Sequence, residues 1–600
     1  MQLSSPHSFH IPVMGLAYTI DSPIKVARFG INSVISIVQD NLVEKMRSYY
    51  YPQIGEAYHA ITPTEVDHRA KRITDYLNLV NRIVKEQVEK LKNSAFELGS
   101  EICKYFEMLP DDSDLKKTYY KMLSLNDPED KRQLETWLRE NIKPGNIDVN
   151  IMTKLDRNNS DKQGQVIEDG SDAVAALRGF VQSNLSNSSL VLSAGMNPRL
   201  FGYMEKRSEF DANSYGEFEK KIVIKVSDYR SAFIQGKMLA KKGLWVSEFR
   251  IESGLNCGGH AFATDGFLLG PILEEFKTKK EELIKSLFEI YNQALLVKGK
   301  AGFEKAHAIK VTVQGGIGTN EEDKFLRDYY GVDGTGWGTP FLLVPEATTV
   351  DDQTLSLLGL ATEKDLVLSK KSPLGARFHY LKGTTAETER LMRIEKGVPG
   401  SPCTEKYLVS NTEFGPEPIC TASRTYQKKK IDQLKSLALP EVEYNQKVNE
   451  VLDKECLCVG LSNAAVKQYK VKPFKKLDGI NICPGPNIAY FSEVVSLQKM
   501  VDHIYGRTNI IARPDRPNMF IKELMLYVDF WMEFLNETNE TIDNKRRVYI
   551  ENFHKNLLEG ITYYRQLSDK VTCEWQSLIE KLYEGLGNAE KQLEGCLQTH

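Results

Sequence analysis

Residues 309–343 read IKVTVQGGIGTNEEDKFLRDYYGVDGTGWGTPFLL, and this stretch decides the fold. A β-branched run, 309–313, ends in the glycine turn GGIGT at 315–319, and a second turn, GTGWGT at 334–339, follows a short charged segment. Two strands that each end in a glycine turn, separated by a helix, predict a parallel βαβ unit. Since glycines let backbone N–H groups approach a phosphate closely, the turns predict a phosphate-bearing ligand.

Strand-like runs alternate with helical ones through the first 345 residues. The eight candidate strands are His10–Val13, Ser33–Val38, Ile147–Met152, Leu190–Leu192, Lys221–Val226, Val246–Ile251, Ile309–Val313 and Val332–Thr335. This alternation is typical of an α/β fold of the (β/α)8 TIM-barrel type, in which the loops after strands seven and eight often hold a phosphate. An open doubly wound sheet shows the same alternation, and the period alone does not separate the two folds.

Long helical segments interrupt and follow the barrel. We place the barrel unit at residues 1–390, with a helical insertion at about 41–145, and a mostly α-helical C-terminal region at 391–600. In the insertion, Thr62-Pro63-Thr64-Glu65 has the form of a capping box and predicts a helix start. We expect the insertion to form a lid or a dimer surface.

Composition excludes several classes of partner. The 600 residues are 41% hydrophobic and 26% charged with a net charge of −3, which is ordinary for a soluble globular protein and gives no reason to expect nucleic acid or an anionic membrane. No uncharged apolar run approaches the ~18 residues of a membrane span. We see no secretory signal, and nine widely spread cysteines fit a reducing compartment, so we expect a cytoplasmic protein.

A second informative stretch, ESGLNCGGH at 252–260, follows the sixth strand. The pair Gly258-Gly259 puts His260 on a tight turn at the end of a barrel strand, where barrel enzymes place catalytic groups. Because an imidazole exchanges protons near neutral pH, His260 is a candidate acid or base. The alternative is a loop histidine with a structural hydrogen bond.

At this point the sequence resembles a known family. In order and spacing it is similar to the flavin-dependent nitronate monooxygenases, formerly called 2-nitropropane dioxygenases, and to the related FMN-dependent enoyl-acyl-carrier-protein reductases. The similar segments, over about residues 9–385, are IPVM at 11–14, DVN at 148–150, SAG at 193–195, CGGH at 257–260, GGI at 315–317, GT at 338–339 and SPLGAR at 372–377.

The resemblance implies a flavoprotein with FMN across the C-terminal mouth of the barrel and His260 as the proton-transfer residue near flavin N5. With a flavin there, Lys225 at the end of the fifth strand is a candidate catalytic residue, because a cation pointing into the mouth would stabilise negative charge on the reduced flavin. The alternative for Lys225 is an ion pair with Asp228 or Glu248. The implied cofactor-binding residues are Met14, Asn150, Lys225, Gly258, Gly259, Gly315, Gly316, Ile317, Gly338 and Thr339.

These implications lead to an FMN-dependent oxidoreductase that resembles nitronate monooxygenase and oxidises a small organic substrate with oxygen. Ser253 and Asn256 stand where that family commonly has glutamine and glutamate, so one flavin or substrate contact and one acid of the family pattern are absent. An NAD(P)H-dependent enoyl-thioester reductase of fatty-acid or polyketide type, with an acyl-carrier partner, is the alternative enzyme. A third reading is a non-redox barrel that binds a phosphorylated ligand as a scaffold or sensor.

Cysteines raise two further alternatives. Cys257 lies close to His260 in sequence, which allows a nucleophile, although a small buried thiol is the favoured reading. The C-terminal cysteines have no C-x-x-C spacing, so core residues are favoured there over a metal or an iron–sulfur cluster. That group is Cys403, Cys420, Cys456, Cys458 and Cys483.

Overall fold

The chain folds around a closed barrel of eight parallel strands, as predicted. The computed structural model describes residues 5–152, 155–160, 163–193, 195–257, 265–402, 405–474, 477–536, 544–567, 569–571 and 573–597. The strands are β1 (Phe9–Ile11), β2 (Asn32–Ser36), β3 (Ile147–Ile151), β4 (Ser188–Leu192), β5 (Lys220–Val226), β6 (Val246–Glu252), β7 (Lys310–Gln314) and β8 (Gly334–Gly336). Phe9 pairs with Thr335 and His10 with Gly336, so the sheet closes between β1 and β8 and is not an open doubly wound sheet.

Alternation along the strands separates the barrel interior from the surrounding helices. In β5, Ile222 and Ile224 belong to the main hydrophobic core, whereas Val223 joins a separate small cluster with Val13, Val34 and Val191. Because successive side chains of a strand point to opposite faces, the small cluster lies inside the barrel. By the same alternation Lys225 points inward at the carboxyl end of β5, toward the mouth.

The helices surround the barrel and extend beyond it. They are α1 (Ser22–Val26), α2 (Asp40–Gln53), α3 (His68–Lys92), α4 (Glu101–Met108), α5 (Asp114–Ser124), α6 (Pro128–Glu140), α7 (Asp172–Val181), α8 (Pro198–Met204), α9 (Tyr229–Ala240), α10 (Leu269–Val297), α11 (Asn320–Asp328), α12 (Asp352–Leu360), α13 (Thr385–Glu395), α14 (Arg424–Ser436), α15 (Glu441–Leu452), α16 (Leu457–Gly460), α17 (Asn463–Gln468), α18 (Leu497–Ile504), α19 (Met519–Asn536), α20 (Asn544–Leu567) and α21 (Gln576–Leu597). None of the described helices combines the length and apolar character that crossing a membrane requires.

The segment between β2 and β3 contains helices α2 to α6, in the region of the predicted insertion. The predicted capping box is wrong as a helix start, because α3 begins at His68. Thr62 N–H does donate to Glu65 Oε1 at 2.9 Å, but this bond closes only a local turn. The neighbouring Val66 is 85% exposed, so the turn has no apolar face to bury against the protein and no helix propagates from it.

The chain beyond the barrel folds back onto its carboxyl end. A short antiparallel pair, β9 (Leu366–Ser369) and β10 (Phe378–Leu381), precedes α13. The Tyr18 hydroxyl, in the loop after β1, donates to Asn481 O, and Trp337 packs edge-on against His503 with ring centroids 6.0 Å apart. The residue 390 boundary of the predicted domains therefore stays a prediction, since contacts cross it at many points.

One buried carboxylate joins three separate parts of the chain. Asp21, fully buried after β1, accepts hydrogen bonds from Tyr50 of α2 at 2.7 Å and from Thr349 at 2.6 Å. It also accepts from the Tyr469 hydroxyl, and Lys25 lies 3.8 Å away. Asp21 thus links the barrel, the insertion and the C-terminal region.

We expect Asp21→Ala to lower the free energy of unfolding by about 3 kcal/mol, because several buried hydroxyl groups lose their acceptor. Tyr50→Phe removes one donor and is expected to cost about 1 kcal/mol. Urea unfolding of the two variants beside the wild type measures both changes. Equal stability of Asp21→Ala and the wild type would show that this link is not needed.

Candidate active site at the mouth of the barrel

The mouth, meaning the carboxyl ends of the eight strands and the loops that follow, contains both predicted glycine turns. After β7, Gly315 and Gly316 have φ angles of 108° and 81°, a region that favours glycine, and begin the β7 turn at residues 315–319. The β8 turn, residues 337–339, leads into a 3₁₀ segment, Thr339–Leu343. Sequence reasoning placed these turns correctly because glycine clusters after strands are local signals.

Backbone donors at the two turns are left unpaired. Gly316, Ile317, Gly338 and Thr339 are all buried. Within the described part of the chain, none of their N–H groups donates a hydrogen bond. Buried backbone N–H groups are almost always paired, so four unpaired ones at two neighbouring turns mark a place for acceptor oxygens from outside the chain.

The β7 turn is braced by residues that the sequence analysis did not select. Glu322, at the start of α11, accepts the N–H groups of Gly318 at 2.9 Å and Thr319 at 3.2 Å. The buried Arg516 guanidinium contacts both Glu322 oxygens at 2.8 and 2.9 Å and donates to Gly316 O at 2.8 Å. Asn487 donates to Ile317 O at 2.9 Å.

Only one of these three residues had a signal in the sequence. Thr319 and Glu322 form a capping box, and the spacing T-x-x-E is visible in the chain. Along the sequence, Arg516 is 200 residues from Gly316 and Asn487 is 170 residues from Ile317. No local pattern reports such a contact.

Side-chain polar atoms are also unpaired on the part of the mouth formed by β2, β3 and β4. Ser36 Oγ, Gln39 Nε2, Asn150 Oδ1 and Ser193 Oγ are buried and have no hydrogen-bond partner among the described residues. Asn150 uses its other amide atom to donate to Val191 O at 3.2 Å. Because an unsatisfied buried polar atom costs free energy, this group favours a polar ligand at the mouth.

Lys225 lies at the mouth in an ion pair. Its Nζ is 3.1 Å from Glu252 Oε1 at the end of β6, and its side chain is 8% exposed. The same Glu252 oxygen accepts Asn256 Nδ2 at 2.6 Å and Gln314 Nε2 at 2.8 Å. Glu252 therefore joins the ends of β5, β6 and β7 into one polar network.

The two ion-pair partners that the sequence offered for Lys225 are engaged elsewhere. Asp228 caps α9 by accepting the N–H of Ser231 at 2.7 Å. Glu248 pairs with Arg250 at 2.8 Å, deeper in the barrel. Lys225 therefore does form an ion pair, but its partner is Glu252 and neither of the two predicted residues. Glu252 ends the neighbouring strand β6, and sequence spacing does not show which residues of neighbouring strands lie side by side.

Met14 is buried beside the β8 turn. Its N–H donates to Thr19 Oγ1 at 3.2 Å, and a methyl group added to Gly338 would lie 3.5 Å from its Sδ. The same methyl group would lie 3.1 Å from Cys257 Cβ. The end of β1, the β8 turn and the residues after β6 thus meet at one point of the mouth.

The predicted catalytic histidine lies outside the described residues. His260, Gly258 and Gly259 belong to the undescribed range 258–264, and their roles stay predictions. The preceding residues 253–257, which we name the β6 turn, are described. Within it, burial raises the pKa of Cys257 to about 12, so the neutral thiol dominates at physiological pH and a nucleophilic Cys257 is not favoured.

An apolar cleft opens beside the unpaired side chains. It has a volume of about 120 Å³ and lies between the loops after β1, β2 and β3 and the C-terminal region. Its walls include Leu16, Met152, Phe378, Tyr407 and Leu457, and Gln39 reaches its edge. Apolar walls with a few polar groups at the edge are usual for small-molecule sites.

Only some of the described C-terminal cysteines lie near the mouth. Cys458 and Cys483 line the apolar cleft, whereas Cys420 and Cys456 are half-buried elsewhere and Cys403 lies outside the described residues. Over the described ranges, no three or more histidine, cysteine, aspartate or glutamate side chains group into a metal site. The alternative of a metal or cluster gains no support from these residues.

Comparison with known proteins gives matches only at the level of structure. No family model and no curated protein sequence matches the chain. A solved enoyl reductase domain of MlnA, from the macrolactin biosynthesis cluster of Bacillus amyloliquefaciens, has a TM-score of 0.33 and 14% identity, covering 75% of this chain and 90% of its own. Nitroalkane oxidase from Streptomyces ansochromogenes has a TM-score of 0.32 and 9% identity, covering 83% and 94%.

The predicted likeness to these two groups of enzymes is confirmed. It concerns the fold alone, because the identities are 14% and 9%, and with TM-scores of 0.33 and 0.32 neither match carries an argument about the reaction. The barrel itself is established by the pairing of its strands.

We expect Glu322→Ala to lower the free energy of unfolding by about 3–5 kcal/mol. The substitution removes the carboxylate that neutralises Arg516 and the acceptor of three backbone N–H groups, those of Gly318, Thr319 and Met519. The matched control is Glu321→Ala, since Glu321 is more exposed and, among the described residues, pairs with Lys581 at 3.7 Å. Chemical unfolding of both variants measures the difference. A loss as small as that of the control would contradict the assigned role of Glu322.

Proposed function

We propose that this protein is an FMN-dependent oxidoreductase whose cofactor binds at the mouth of the barrel. The observation that carries the proposal is the set of unpaired buried N–H groups of Gly316, Ile317, Gly338 and Thr339. A phosphate offers several acceptor oxygens to such a group of donors. Gly315 takes part through its left-handed backbone, which turns the chain toward these donors.

The remaining residues of the mouth fit the polar edge of a flavin. Asn150, Ser36 and Ser193 have buried atoms that lack a partner among the described residues, and the Lys225–Glu252 ion pair lies at the same level. When bound, FMN would supply hydride and electron transfer at its N5 atom. Lys225 is proposed to stabilise negative charge beside it, and Met14 to pack against the β8 turn.

The proton in this proposal is moved by His260, the only member of the proposed set that needs to change its protonation state. An imidazole near its usual pKa can both accept and donate a proton at neutral pH. The preferred reaction is oxidation of a small organic substrate with oxygen, as in nitronate monooxygenases. Gly258 and Gly259 would allow the backbone before His260 to approach the cofactor closely.

The apolar cleft favours a second candidate, an NAD(P)H-dependent enoyl-thioester reductase. A cleft with apolar walls such as Leu16, Met152 and Phe378 suits an aliphatic chain better than a polar nitronate. Oxygen consumption with a nitronate separates the first reaction from NADH oxidation with an enoyl thioester. An acyl-carrier partner belongs only to the second.

We expect the apoprotein to bind FMN at least ~100-fold more tightly than riboflavin, because only FMN offers a charged phosphate to the four donors. Fluorescence titration of the apoprotein with each flavin measures the ratio. Equal affinities for FMN and riboflavin would show that the glycine turns do not bind the phosphate. A colourless protein that binds neither flavin would refute the redox proposal and favour the barrel that binds another phosphorylated ligand.

We expect His260→Ala to keep the flavin spectrum but to lower turnover by ~10²–10⁴-fold, the usual contribution of a general acid or base. His59→Ala is the control, because His59 is exposed in the insertion. Steady-state rates with a nitronate and with an enoyl thioester plus NADH measure the effect for both candidate reactions. Unchanged turnover in His260→Ala would remove His260 from the proton transfer.

A further inference from the structure

A carboxyl group from the C-terminal region is buried within the barrel's own loops. Glu523, on α19, is 2% exposed. Its Oε1 accepts the Ser253 hydroxyl at 2.7 Å and the Gly254 N–H at 3.3 Å, and its Oε2 accepts the Leu269 N–H at 2.7 Å. One side chain thus receives three donors.

These donors belong to the two ends of a single connection. Ser253 and Gly254 follow the last residue of β6, and Leu269 is the first residue of α10. The sequence between them contains the β6 turn and His260. Glu523 therefore joins the start of this connection to its end. Among the described residues, no charged side chain of the barrel itself makes such a link.

Other C-terminal residues hold the same two ends. His379 Nε2 lies 2.8 Å from Gly254 O, and the Gly270 N–H donates to the Tyr564 hydroxyl at 3.1 Å. A methyl group on Gly254 would lie 2.7 Å from Tyr527 Cε1. Such close packing leaves the backbone at Gly254 little freedom to move away from Glu523.

The held end of the connection lies directly against the β7 turn. The Ser253 N–H donates to Gln314 O at 3.0 Å. A methyl group on Gly315 would lie 3.0 Å from Asn256 N, and one on Gly316 would lie 2.6 Å from Leu255 Cδ1. A displacement of the β6 turn would therefore move the backbone that carries the unpaired N–H groups.

We infer that Glu523 is a positioning residue, which fixes the β6 turn against the β7 turn and so sets the spacing of the donors that hold the cofactor phosphate. The inference rests on the proposed function for its effect on FMN. Its structural part does not: the hold of Glu523 on the β6 turn stands on the three hydrogen bonds, and the contact of the β6 turn with the β7 turn stands on the Ser253–Gln314 hydrogen bond and the packing at Gly315 and Gly316.

The protonation state of Glu523 gives this role a measurable signature. Burial raises the pKa of Glu523 to about 7. Among the described residues, the ionisable groups around it are Tyr527 on its own helix, Tyr564 from α20 and His379 from β10. Burial raises the pKa of Tyr564 and lowers that of His379, and both shifts favour the neutral form. Lys522 acts on His379 from the exposed side.

The direction of the pH effect follows from the donors. Above pH 7 the carboxylate can accept from Ser253, Gly254 and Leu269 at once. Below pH 7 the neutral acid uses one oxygen for its own proton, so one acceptor position is lost. The hold on the β6 turn is therefore stronger at high pH.

The experiment is a titration of apoprotein with FMN at pH 6 and pH 8.5 for the wild type, Glu523→Gln and the control Asp529→Asn. Asp529 is an exposed carboxylate on the same helix. At pH 8.5 we expect Glu523→Gln to bind FMN about tenfold more weakly than the control, since its amide turns one acceptor into a donor. At pH 6 we expect a smaller ratio between the FMN affinities of the control and Glu523→Gln. The FMN phosphate also changes its ionisation between the two pH values, but this affects all three proteins equally and leaves the ratio unchanged.

Equal FMN affinity of Glu523→Gln and Asp529→Asn at both pH values would overturn the inference. Hydrogen–deuterium exchange of peptides covering 246–257 and 310–319 separates this failure from a failure of the proposed function. If the wild type binds no flavin, faster exchange of both peptides in Glu523→Gln alone still supports the positioning role, and unchanged exchange overturns it. Ser253→Ala, which removes one of the three donors, replaces Glu523→Gln if that variant does not fold, with a smaller change expected in the same direction.

Discussion

Closure of the barrel between β8 and its two neighbours is possible only because the interior positions of β8 carry no side chains. A methyl group on Gly334 would lie 2.9 Å from Ser8 O, and one on Gly336 would lie 2.7 Å from Gln314 Cβ and 3.0 Å from His10 Nε2. Any other residue at these positions would push β8 away from β1 and β7. The glycines of β8 thus allow the three strands to approach, and this approach brings the β7 and β8 turns together at the mouth.

The outward residue of β8 secures the same strand from the other side. Thr335 is fully buried, and its hydroxyl receives the Trp337 indole N–H at 3.2 Å and donates to Asp323 of α11. Asp323 in turn pairs with Arg327 at 2.9 Å. The helix between the two glycine turns is therefore linked to the strand that follows it, and the distance between the turns depends on this link.

The mouth is a joint product of the barrel and the C-terminal region. Arg516 braces the β7 turn, Glu523 the β6 turn, and the Gly485 N–H donates to Thr339 Oγ1 at 3.1 Å beside the β8 turn. Each contact buries a polar or charged group, which is costly unless its partners are in place. The proposed cofactor site therefore depends on complete folding of both regions, and the barrel strands by themselves would leave its turns unsupported.

The sequence by itself determined the features that depend on neighbouring residues. All eight strands appear within a few residues of their predicted positions, and the glycine turns lie where Gly315, Gly316 and Gly338 placed them, because strand period and turn chemistry are local. Tertiary structure decided the rest. It gave Lys225 the partner Glu252, it joined Arg516 and Glu523 to turns that are hundreds of residues away along the chain, and it began α3 at His68 after the capping pair at Thr62 closed only a turn. The physical reason is the same in each case: a buried charge or an unpaired N–H finds its partner in space, and sequence spacing does not encode which distant residue that will be.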